Sequence, residues 1–267
     1  MNPRLTGGMA WLLYPLTAAA MVFVLAPLAV VVAMSVSAGA FASFPPTGFS
    51  LAWYGAVLAD ADFRFSLAFS GLLAACATTG ALAFGLPAAF ALTRYAVPGR
   101  DALRLILLSP LIVPLLVVGV ALLRLFADWH SNSAPVNLLI GHILVTTPYV
   151  VRTVTASLLL ADISLEEAAR TLGAGRWRVL RRVTLPQIAP GVAAGALFAF
   201  MVSFDNYPIS MWLADARYVP MPMLIYRQAA SIYTPAVPAT STLMILFAFI
   251  VVLFIERLAG LRRAMAM

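Results

Sequence analysis

The chain has 267 residues, of which 63% are apolar and 10% charged, with a mean hydropathy of +0.98. Soluble chains run at about 45–50% apolar and about 25% charged, so this composition excludes a cytosolic enzyme, a disordered chain and a disulfide-stapled secreted module. The net charge is +7, and all 17 basic residues are arginine, which removes both the lysine of a P-loop and the amine of a Schiff base.

Six apolar stretches reach the roughly 20 residues that carry a helix across about 30 Å of hydrocarbon. They lie at approximately 10–36, 65–93, 105–126, 137–160, 188–213 and 238–256. The first precedes Ser37-Ala-Gly-Ala40, as a signal peptide would, but its apolar core is about twice the usual length, so it is expected to stay as an anchor. The fourth contains Pro148 and Arg152, and its inner end is expected close to Arg152. With no internal repeat and no linker, one all-α membrane domain is expected over 1–267.

Orientation follows from the arginines. Thirteen fall on one side: Arg4, then Arg94, Arg100 and Arg104, then Arg152, Arg170, Arg176, Arg178, Arg181 and Arg182, and finally Arg257, Arg262 and Arg263. Four fall on the other: Arg64, Arg124, Arg217 and Arg227. Cytoplasmic loops are the arginine-rich ones, so both termini and the 161–187 loop are expected inside. The positive charge then reads as topology rather than as a nucleic-acid surface. Cys76 has no intrachain partner, and His130 and His142 are too few for a metal cluster, so no metal is expected.

Two outer segments carry local signals. In 49–58, Leu51, Tyr54 and Leu58 recur at helical spacing beside Trp53, which predicts a short helix on the outer face serving as an aromatic anchor or in a lid or docking role. The 214–237 segment, with Pro220, Pro222, Pro235 and Pro238, is expected to be looped and open to an outside partner.

The loop between spans four and five is the most informative segment. Ser164 and Glu167 have capping-box spacing, Glu166 and Arg170 stand at i,i+4 in the favoured order, and Gly173 suits a left-handed helix end. These signals predict a helix of about two turns beginning at Ser164. A second helical stretch after Gly175 is expected to place Trp177, Leu180 and Thr184 near one side, with Pro186 stopping it or starting the next helix.

Glu167-Ala168-Ala169, three residues, Gly173, nine residues and Val183-Thr184-Leu185-Pro186 resemble the EAA loop of ABC-importer permease subunits, with Val183 where that pattern has isoleucine. The resemblance implies a type I importer fold with six spans and cytoplasmic termini, in a bacterial inner membrane. Glu167, Ala168 and Ala169 would line a helix docked on an ATPase subunit, Gly173 would supply its turn, and Leu185 and Pro186 would lead into span five. The expected partners are a dimer of ABC ATPase subunits that bind ATP and magnesium, a second permease chain, a periplasmic binding protein and the lipid bilayer. The chain itself would be a transport subunit with no cofactor and no catalytic residue.

Span five carries Ser203, Asp205, Asn206 and Tyr207 ahead of Pro208, and an ionisable residue within a membrane stretch is a functional candidate. At 1.5 Å per residue Asp205 lies about 25 Å along from Ile188, toward the outer third. There it either receives a cationic substrate or serves locally, capping the helix after Pro208 or pairing with Arg217 or Arg227. Residues 47–54 and Ser203-Phe204-Asp205 are similar to the spermidine/putrescine branch of these permeases, which implies a polyamine or related amine. The competing classes are an ion-coupled secondary transporter, which would want midplane carboxylates and paired repeats, and a membrane enzyme, which would need a grouped nucleophile and base.

Overall fold

The computed structural model describes residues 7–259, and all regular structure among them is helical. Arg4, Arg262 and Arg263, counted above for orientation, lie outside the described residues. The helices are α1 (Gly7–Ser35), α2 (Ala52–Ala59), α3 (Ala61–Arg94), α4 (Arg100–Leu108) and α5 (Leu115–Asp128). They continue with α6 (Ala134–Leu160), α7 (Ile163–Thr171), α8 (Arg176–Val179), α9 (Leu185–Phe204), α10 (Tyr207–Leu213), α11 (Met221–Ser231) and α12 (Ala236–Ala259).

Among the described residues, five helical runs are long and apolar enough to cross a membrane: Trp11–Ser35, Ala61–Arg94, Ala134–Leu160, Arg176–Phe204 and Ala236–Arg257. A sixth span forms if Arg100–Leu111 and Leu115–Asp128, bent by 101°, count as one. The expected straight span at 105–126 is therefore broken. Pro114 lacks an N–H, sits at ψ 126° and starts α5, and a proline also turns the residue before it away from helical geometry.

Span four runs through to Leu160 rather than stopping near Arg152, despite Pro148 inside it. In the turn before the proline, the Thr146 hydroxyl donates to the His142 carbonyl at 2.7 Å and that of Thr147 to Ile143 at 2.7 Å. The 214–237 segment is not all loop, because α11 lies inside it. Pro220 and Pro222 flank its first residue, where the missing N–H costs nothing.

The chain divides into two compact units, one comprising the residues up to Asp60 with Ile225–Leu246, the other Ala61–Leu224 with the residues from Phe247 on. In the first unit the short helix expected in 49–58 forms, as α2. The Tyr54 hydroxyl meets that of Ser35 at 2.6 Å, and Leu51 and Leu58 stay exposed. The Ala42 N–H donates to the Tyr233 carbonyl at 3.0 Å.

The second unit is built on α3, α6 and α9. Gly80 seats Ile143, Gly85 seats Val150, Gly191 seats Ser157 and Gly195 seats Thr153. Small residues let membrane helices approach closely, since lipid offers no hydrophobic drive for helices to associate. The buried Ala81, Ala89, Val150, Val154, Leu158, Ile188 and Ala199 fill the space between the three helices. A second apolar cluster, with Leu73, Leu122, Phe126, Leu138, Ile209 and Leu213, joins α5 and α10 to this frame.

Candidate functional site

The 161–187 loop is ordered by its own residues. Asp162, not Ser164, caps α7, its carboxylate accepting the Ser164 N–H at 2.9 Å. The capping box expected at Ser164 and Glu167 is thus displaced by two residues, because an aspartate just ahead reaches the free amides first. Hydrogen bonds from Ser164 hold the Asp162 carboxyl below its ordinary value. At the other end Gly173 stands at φ +82°. Its N–H donates to Arg170 O at 2.9 Å and that of Ala174 to Ala169 O at 3.0 Å, the paired closure of a Schellman end.

Two bonds fasten this helix to the spans. Glu166 is buried and takes Arg170 at 3.7 Å, the expected pair, and also Arg94 from the end of α3 at 3.2 Å. The Gln187 side chain accepts the Asp162 N–H at 2.9 Å and donates to the Val183 carbonyl at 3.2 Å, which closes the loop at its base. Neither Arg94 nor Gln187 was singled out by sequence, because the one partner lies 72 residues away and the other at the far end of the loop.

Pro186 stands in the first turn of α9, at the start of that helix, one of its two expected places. The helical run continues from Arg176 to Phe204 through a π turn at Leu180–Thr184. The wider turn accommodates a residue that has no N–H and whose ring presses on the carbonyl four residues back. The expected span at 188–213 therefore starts earlier. Leu185 is half-buried and Pro186 exposed.

Apolar side chains stay outside among the charged ones. Ile163, Leu165 and Leu172 of the α7 region are exposed, Leu172 by 88%, as is Trp177 by 73%. Glu167 and Ala168 are exposed and Ala169 is half-buried.

Span five also ends sooner than expected, at Phe204. Asp205 and Asn206 leave the helical path, and Asn206, not Asp205, caps α10 by accepting the Ile209 N–H at 3.1 Å. Asp205 is exposed and forms no ion pair among the described residues, so neither Arg217 nor Arg227 takes it. Together with Asn206, Leu115, Met201, Val202 and Pro208 it lines a cavity of about 330 Å³. Two interrupted spans thus meet there: α5 contributes its first residue and α9 its last turn.

The four candidate residues separate. Asp205 and Asn206 border the cavity and Tyr207 opens α10. Ser203 is buried and turned away, its hydroxyl 2.8 Å from His142 Nδ1. His142 itself was considered in sequence only as a metal ligand. A histidine inside an apolar span was the available signal, but the hydroxyls it meets lie 61 and 68 residues on.

Broken spans that border a mainly apolar cavity holding Asp205 and Asn206, with a braced loop beside them, are an architecture suited to a membrane transport subunit. The family model described as "Binding-protein-dependent transport system inner membrane component" matches residues 81–261, and the chain belongs to that family. Among curated proteins it is 31% identical over 205 residues to the putrescine transport system permease protein PotI of Escherichia coli K12, covering 74% of this chain and 73% of the relative. The spermidine/putrescine permease PotC of the same strain is 29% identical over 212 residues, 79% of this chain and 80% of the relative. The molybdenum permease ModB of that strain is 33% identical over 165 residues, 57% of this chain and 71% of the relative.

Solved structures share the fold. A bacterial ABC transporter involved in alginate import aligns with a TM-score of 0.71 at 18% identity, covering 97% of this chain and 99% of that one. The MetNI methionine ABC transporter aligns with a TM-score of 0.62 at 15% identity, covering 73% and 93%.

Proposed function

We propose that this chain forms half of the pathway of an ATP-driven importer for a small polyamine or related amine. It is a single permease domain over 1–267 in a bacterial inner membrane, with both termini and the 161–187 loop in the cytoplasm. A periplasmic binding protein delivers the amine, a second permease chain completes the pore, and a dimer of ATPase subunits binds ATP and magnesium. The chain needs no cofactor of its own.

The observation that carries this reading is the loop. α7 is capped at both ends, tied to α3 by Arg94 and Glu166 and closed by Gln187, yet it leaves its apolar residues outside. A rigid element of this kind transmits the closure of an ATPase to the spans. Glu167, Ala168 and Ala169 form the docking helix, Gly173 sets its end, and Leu185 with Pro186 carries the motion into α9. The names of PotI and PotC and the free carboxylate of Asp205 favour a cationic cargo, with Asn206 and Tyr207 beside it and Ser203 behind. Membership in a binding-protein-dependent family outweighs the ion-coupled alternative.

The test is to tag the chain in its host, solubilise the membrane gently and identify what co-purifies. Recovery of an ATPase, lost on combining Glu167→Ala with Gly173→Val, supports the reading. A chain that purifies alone and takes up putrescine in ATP-free vesicles overturns it.

A further inference from the structure

We propose that His142 is a positioning residue, a clamp across the break between α9 and α10 that fixes how Asp205 and Asn206 face the cavity. The proposal rests on the reading of that cavity as part of the amine's path.

The ring of His142 is completely buried in α6. Its Nδ1 lies 2.8 Å from the Ser203 hydroxyl, in the last turn of α9, and its Nε2 lies 3.3 Å from the Ser210 hydroxyl, in α10. Between these two serines the backbone leaves the helix at Asp205 and Asn206. A single rigid ring from a third helix therefore spans the interruption. In a neutral imidazole one nitrogen donates and the other accepts, and a serine hydroxyl can do either, so both bonds are met in either tautomer.

The neighbouring residue adds a second constraint. A Cβ on Gly141 would stand 2.8 Å from Leu213 Cδ1 and 3.0 Å from Ile209 Cγ2, so α10 rests directly on the α6 backbone. The Asn206 cap satisfies the first amides of α10 but leaves the angle between α9 and α10 free. Gly141 sets how close α10 comes, and His142 sets where both ends of the break are held. Met201 and Val202 before the break, Asp205 and Asn206 within it and Pro208 after it all line the cavity and take their relative positions from that clamp. A buried polar network that is fully satisfied specifies one arrangement, whereas one lost partner leaves the remaining hydroxyls unpaired.

The test uses the importer reconstituted with its ATPases and binding protein, with radiolabelled putrescine as the probe. His142→Leu is expected to raise the ATP consumed per putrescine moved by about tenfold, the effect of one or two lost buried hydrogen bonds on cargo engagement. The loaded binding protein needed for half-maximal ATP hydrolysis stays unchanged. His142→Asn, which can reach Ser203, and His142→Gln, which can reach Ser210, each recover part of the coupling. Adding Ser203→Ala to His142→Leu changes nothing further.

A merely structural role would lower folded protein, hydrolysis and uptake together and leave their ratio intact, and that result overturns the clamp. Asp205→Asn is measured beside it. A raised ratio in Asp205→Asn with an unchanged ratio in His142→Leu overturns the clamp alone, and an unchanged ratio in Asp205→Asn overturns the path and the clamp with it.

Discussion

Arg94 closes on Glu166 at 3.2 Å across 72 residues of sequence, with both side chains largely withdrawn from solvent. A partly buried ion pair is costly to break from one side, because the survivor keeps its charge without a partner. The pair is the direct link between the end of α3 and the middle of α7, and its energetics can be isolated. Arg94→Ala and Glu166→Ala singly, and then together, are expected to show a coupling energy of about 1–2 kcal/mol in thermal unfolding of the purified chain. Strictly additive losses would mean that the two residues act independently.

Gly173 at φ +82° ends α7 in a conformation that a β-branched residue strongly resists. Gly173→Val is expected to cost about 1–2 kcal/mol locally and to redirect the chain after α7. ATP hydrolysis should separate from uptake while the amount inserted in the membrane stays constant. Gly173→Asn, which tolerates the left-handed region, is expected to retain most coupling. Equal uptake per ATP in the valine variant and the parent would remove the helix end from the mechanism.

The Asp162 cap is sensitive to pH. Its carboxyl is held below the ordinary value by hydrogen bonds from Ser164, so its contribution is fully present above the unfolded value and is lost as pH falls through the lowered folded one. Hydrogen exchange across α7, corrected for intrinsic rates, should therefore rise selectively in acid. Asp162→Ala is expected to show that faster exchange already at neutral pH, and Asp162→Asn, which keeps an acceptor oxygen, should show less of it at all pH values.

Close approach between α6 and α9 depends on Gly191, where an added Cβ would collide with the Ser157 side chain. Gly191→Leu is expected to destabilise the chain by about 1–3 kcal/mol through overpacking, seen as a lower melting temperature in detergent. Gly175→Ala is the control, since nothing lies within 4 Å of a Cβ there and its φ is −65°. Similar losses in both would indicate that the loop, not the helix contact, limits stability.

Features with local causes were readable in the sequence. Hydropathy located the long apolar helices found among the described residues, and the Glu166–Arg170 pair and the Gly173 helix end follow from spacings of four and from one residue's conformational freedom. Where the reading went astray, a neighbour competed. Asp162 capped ahead of Ser164, Asn206 capped in place of Asp205, and Pro114 broke a span whose hydropathy is uniform. Arg94 and Gln187 carried no local signal, and His142 carried only its place in an apolar span, because each acquires its role from a partner brought close only by folding. In composition, an arginine that braces a loop is identical to one that merely marks the inner face.

The break in span three opens onto the cavity. Its second limb, Leu115–Asp128, has 14 residues, about 21 Å at 1.5 Å per residue, against about 30 Å of hydrocarbon. Leu115 begins that limb and borders the same cavity as Asp205. With 14 residues of helix between the cavity and Asp128, the cavity lies inside the span rather than at its end. Any charge held there has crossed only part of the transmembrane potential, which is worth about 2.3 kcal/mol per elementary charge at 100 mV over its full width. Loading from one side and release to the other would then be separate electrical steps, each carrying its own fraction of the voltage dependence.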